Sequence, residues 1–72
     1  MITQSAKELR QGDIFTSDKG ETWFRITNSL PNISVAENKI TWQCVRVNDK
    51  GDAISLVKLI SFNLSDELIV KI

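Results

Sequence analysis

The stretch DIFTSDKGETWFRIT, residues 13–27, holds two short apolar runs separated by a compact polar turn. Asp18, Lys19 and Gly20 fit a tight hairpin loop, with Gly20 at the positive-φ position that a three-residue connection requires. Ile14 and Phe15 centre one strand over residues 13–17, and a second strand runs over 21–28. Successive side chains of a strand face opposite ways, so the adjacent Trp23 and Phe24 cannot both enter one core. Phe24 shares its face with Ile26 and is the core residue. Trp23 shares the other face with Arg25 and Thr27, and it needs a cover or a partner.

The same reading extends on either side of this hairpin. Upstream, Ser5 and Glu8 have the spacing of a capping box, and Gly12 offers a stop, which leaves one or two helical turns over residues 6–11. Downstream, residues 29–38 form the longest connector, in which Leu30, Ile33 and Val35 are available to dock against the core. KITWQCVRVN, residues 39–48, is a third strand. Ile40, Trp42 and Cys44 share one face and Val45 and Val47 the other, and a bulge near Cys44 would bring both sets into a curved core. After the loop at residues 48–52, AISLVKLISF, residues 53–62, is a fourth strand that is apolar on both faces. It reads as a strand buried first on one side and then on the other, and as an aggregation hazard if exposed. LIVKI, residues 68–72, is the fifth.

Five short strands, tight turns and one helical turn predict a single all-β domain over residues 1–72, a small closed five-stranded barrel that removes its own edges. LRQGDIFTSDKGETWFRI, residues 9–26, resembles the opening hairpin of SH3-like domains such as the N-terminal domain of bacterial elongation factor P. There an L-x-x-G entry precedes a strand, a D-G-E type turn and an aromatic on the return strand. The resemblance implies an SH3-like barrel. It carries no function across, because the glycine-flanked lysine loop of that family has no counterpart in residues 29–38.

Composition removes most chemistry. The chain has 72 residues, no histidine and one cysteine. Nucleophilic catalysis of the Ser/His/Asp or Cys/His kind lacks its proton carrier, and a four-ligand structural zinc site or an intrachain disulfide cannot be assembled. Gly12, Gly20 and Gly51 stand apart, so no phosphate cradle is present. Cys44 in mid-strand reads as a small buried apolar residue, and the aspartates flank turns. The expectation is a protein that is not an enzyme, with no catalytic residues, cofactor or metal. No stretch reaches the ~18 apolar residues of a membrane span, and the N-terminus lacks the apolar run of a secretory signal; a cytoplasmic location is expected.

Nine basic against nine acidic residues leave no net charge, which removes the simplest argument for nucleic-acid binding. The candidate binding residues are Trp23, Arg25 and Thr27, with Lys39 and Arg46 from the neighbouring strand. A tryptophan with arginines is the composition of a protein-binding hot spot, so the leading expectation is a protein partner. The chain then has the character of the small accessory proteins of phages and mobile elements that modulate a host protein, an analogy alone. The alternative is a nucleic-acid-binding barrel that stacks bases on the same face. Small size, neutral charge and the apolar LIVKI end also point to a homodimer.

Overall fold

A computed structural model describes residues 2–71. Seven strands and one 3-10 turn follow in the order β1 (Ile2–Ser5), the turn (Ala6–Glu8), β2 (Ile14–Thr16), β3 (Trp23–Ile26), β4 (Asn32–Ser34), β5 (Lys39–Val47), β6 (Lys58–Asn63) and β7 (Glu67–Lys71). All pairings are antiparallel and belong to one sheet, in the order β1-β7-β2-β3-β5-β4, with β6 on the other side of β5. The domain is therefore a small all-β fold. Two strands join the expected five, and the sheet stays open: among the described residues β1, β4 and β6 have no second neighbour. The residue-72 end of the expected fifth strand lies outside the described residues.

The opening hairpin is held by one hydroxyl. Thr16 Oγ1 donates to Asp18 Oδ1 at 2.7 Å and accepts from the Gly20 amide at 3.0 Å, and Asp18 Oδ1 accepts from the Thr22 amide. Gly20 has φ +96°, the conformation read from the sequence, and Lys19 precedes it at φ +65°. The helical segment is shorter than expected, a single turn that ends at Glu8. Ser5 Oγ donates to Glu8 Oε1 rather than capping a backbone amide, so the box supplies a side-chain pair and the turn does not propagate.

The core gathers Ala6, Leu9, Phe15, Ile26, Ile40, Trp42, Cys44, Phe62, Leu68 and Val70, with Phe24, Ile60 and Leu64 packed on it. Phe15 stacks on Phe24 at 5.9 Å and meets Phe62 edge-on at 5.6 Å, geometries that add to simple burial. Trp42 closes the core beneath the N-terminal turn, where its Nε1 donates to Ala6 O at 2.9 Å.

Three expectations are corrected. First, β5 carries no bulge against β3: the register is constant from Trp23↔Val47 to Ile26↔Cys44. Val45 and Val47 are buried on the opposite face of a regular strand, so the sheet is covered on both sides there. Second, the irregularity lies on the neighbouring chain. Between the Val47↔Ala53 bridge and the Cys44↔Lys58 pair, Val45 and Arg46 face four residues, 54–57. That excess expels the segment from the ladder, so β6 starts only at Lys58, and of the run's large apolar residues only Ile60 and Phe62 reach the core. Third, Leu30, Ile33 and Val35 do not dock; all three are exposed. The chain from β3 to β4 is one strand with an excursion, since Ile26↔Cys44 and Asn32↔Thr41 enclose two residues on β5 but five, 27–31, on the other side.

Candidate partner-binding surface

Trp23, Arg25 and Thr27 alternate along one face, as expected, and the ladder sets Trp23 and Arg25 against Val47 and Val45. Ile14 lies opposite Arg25, and Lys71 lies opposite Ile14. The face is already furnished from within. The Lys71 ammonium sits 5.6 Å from the centre of the Trp23 ring, a cation–π contact. Gly20 approaches the edge of the same ring. Arg25 Nη1 donates to Gly51 O at 2.8 Å, which ties the 48–52 loop to this face beside Ile14. Thr27 N and Oγ1 both donate to Gln43 O, at 2.8 and 3.1 Å. Trp23 is thus half-buried beneath the C-terminal strand's lysine and the hairpin loop, and the N-terminal turn covers Trp42 instead.

Lys39 and Arg46 do not join this platform. Arg46 lies opposite Phe24, so alternation turns it to the face that Trp23 avoids. Lys39 begins β5, eight residues before Val47, roughly 26 Å along a strand. The expected aromatic and basic set therefore divides into a half-covered trio and two separated cations.

A recess of about 520 Å³ opens beside the N-terminal turn between Gln4, Lys7, Glu8, Leu9, Arg10 and Asp13. Its two basic and two acidic side chains cancel. Burial pushes the Cys44 thiol up to about 12, so it packs as an uncharged apolar group. Among the described residues no three cysteine, aspartate or glutamate side chains gather as a metal site, and no helix is long and apolar enough to cross a membrane.

The largest feature was missed in the sequence. Every exposed large apolar side chain among the described residues lies on or beside a strand with an unpaired edge. Ile54, Leu56 (88% exposed), Val57 and Leu59 (72%) lead into and occupy β6. Leu30 (81%), Ile33 and Val35 (79%) flank or occupy β4, and Ile2 is on β1. Edge strands of soluble proteins are normally blunted by charge, proline or brevity. The apolar run at residues 53–62 was the available signal, but a run apolar on both faces fits burial and exposure equally.

No family model matches the chain, and neither a curated protein nor a solved structure shows significant similarity to it.

Proposed function

We propose that this chain is a non-enzymatic protein-binding module that engages its partner through the β6 edge and the apolar segment before it. The observation that carries the reading is the confinement of exposed aliphatic side chains to strands with an unpaired edge and to the segments beside them. An extended partner segment adds to such an edge through main-chain hydrogen bonds, with side-chain contacts giving selectivity. The fold belongs to the same proposal. β2, β3, β5 and β6 follow as antiparallel neighbours and β7 returns to pair with β2, an order in keeping with an SH3-like arrangement whose last closure is open. A cytoplasmic accessory role on a host protein completes the reading.

The nucleic-acid alternative has less support, because Arg25 is already bonded to Gly51 O and Lys71 covers one face of Trp23. Titration with single-stranded oligonucleotides at low salt tests it: quenching of tryptophan fluorescence that weakens steeply with salt would favour it. The protein-binding reading is tested by capture from an extract of the source cells. The wild-type chain recovers a stoichiometric companion, and the Leu56→Lys/Leu59→Lys variant, still folded, loses it. A companion lost by Trp23→Ala and kept by the edge variant would move the site to the Trp23 face.

A further inference from the structure

The β6 edge has a defined hydrogen-bonding pattern. Leu64 donates its amide to Asn38 O at 3.2 Å, continuing the register in which Ile60 faces Trp42 and Phe62 faces Ile40. In an antiparallel ladder the bonded pairs alternate. Residues 58, 60, 62 and 64 therefore turn their N–H and C=O toward β5, and Leu59, Ser61 and Asn63 turn theirs away. The outward Asn63 amide is already taken, donating to Asp66 Oδ2 at 2.9 Å. Leu59 and Ser61 remain, each presenting a donor and an acceptor two residues apart.

We infer that this edge pairs with the β6 edge of a second copy, antiparallel about a twofold axis through Ile60. That inference rests on the same reading of the β6 edge as a docking strand. The register follows from the groups available. Leu59 of one copy stands opposite Ser61 of the other, and the reciprocal pair makes four hydrogen bonds without disturbing the Asp66 cap. A twofold axis through Ser61 would require the capped Asn63 amide. Ile60, half-buried on the core side, meets its own counterpart. Val57 and Leu56 of each copy extend along Asn63 and Leu64 of the other.

Charge permits this pairing. Lys58 is the only charged residue between Ala53 and Ser65, and the register holds the two lysines four positions apart, about 13 Å along the strand. That exceeds the screening length of roughly 8 Å at physiological salt. The β4 edge is a poorer template, being three residues long and preceded by Pro31. Area sets the strength. A fully exposed aliphatic side chain offers on the order of 100 Å² of apolar surface, so Ile54, Leu56, Val57 and Leu59 bring about 300 Å² per copy. With the strand backbone this is a small interface by the standard of ~800 Å² per partner. The dimer is a micromolar, rapidly exchanging one, and a closed twofold arrangement limits growth beyond two.

Sedimentation equilibrium from low micromolar to millimolar concentration reads the association. The expected result is a mass rising from 8.1 kDa toward twice that value. Ser61→Pro removes an outward N–H and keeps the backbone bonds of the β5 ladder, losing only the Ser61–Thr41 hydroxyl pair at 2.7 Å, and Leu59→Lys adds a charge at an exposed position. Each should weaken dimerisation at least tenfold with the far-ultraviolet spectrum unchanged, whereas Val35→Lys at the other edge should not. Hydrogen exchange at the Leu59 and Ser61 amides should slow with rising concentration in the wild type. A wild-type mass fixed at 8.1 kDa overturns the self-pairing, and so does a dimer that survives Leu59→Lys. Neither result touches the capture experiment, in which the β6 edge is judged against a different protein.

Discussion

Thr16 is 1% exposed yet carries a hydroxyl, and the whole of the first hairpin loop is organised on it and on Asp18. The Asp18 carboxylate accepts from the Thr16 hydroxyl and the Thr22 amide. Those bonds, the Thr16 hydroxyl first, hold its pKa below the ordinary value of 3.8. A carboxylate lowered in the folded state adds stability that is present above the unfolded pKa and lost as pH falls through the folded one. The wild type should therefore be more stable than Asp18→Asn at neutral pH, and the difference should shrink below about pH 4. Urea midpoints of the two proteins from pH 7 to pH 2 measure it; a constant gap across that range would show that the charge contributes nothing. Thr16→Val removes the donor and leaves the Gly20 amide without its acceptor, a change expected to cost about 1–3 kcal/mol.

At the scale of elements, the decisive piece is the four-against-two mismatch between residues 54–57 and Val45–Arg46. It explains how a strand-like sequence comes to lie outside the ladder. Because side chains alternate with a period of two, removing two residues keeps Ile60 and Phe62 facing the core, whereas removing one turns them out. Deletion of Leu56 and Val57 together should leave a cooperatively unfolding domain with a regular β5–β6 hairpin. Deletion of Val57 alone should abolish the cooperative thermal transition. Equal behaviour of the two deletions in circular dichroism melts would mean that the register of β6 is set elsewhere.

The same elements mark what could be read without coordinates. The facing of Trp23 and Phe24, the burial of Trp42 and Cys44, and the positive φ of Gly20 all follow from local rules, a period of two and a turn geometry, and they were legible. β1 and β4 were not, because ITQS and NIS are short and mostly polar and are strands only by virtue of their neighbours β7 and β5. Residues 68–71 of the LIVKI end lie within β7, between β1 and β2, a pairing that no local pattern in the sequence announces. Of the binding residues, alternation placed Trp23, Arg25 and Thr27 together. It could not reveal Lys71 over Trp23, a contact between residues 48 positions apart in the chain, or the separation of Lys39 and Arg46 from that face.

For the whole molecule, the balance is unusual in its distribution rather than its amount. A 72-residue chain buries a modest core and still leaves Leu56 and Leu59 mostly in water. Those side chains make little contribution to the folded state, because water surrounds them before and after folding. Replacing both by lysine should shift the unfolding free energy by no more than about 0.5 kcal/mol. The same variant should bind much less of an apolar dye such as ANS at neutral pH and should remain soluble at higher concentration, since the exposed β-rich window is broken by charge. Urea unfolding and dye fluorescence measured on the same samples separate the two effects. A loss of 2 kcal/mol or more would place these leucines in the core's support rather than on a surface kept for a partner.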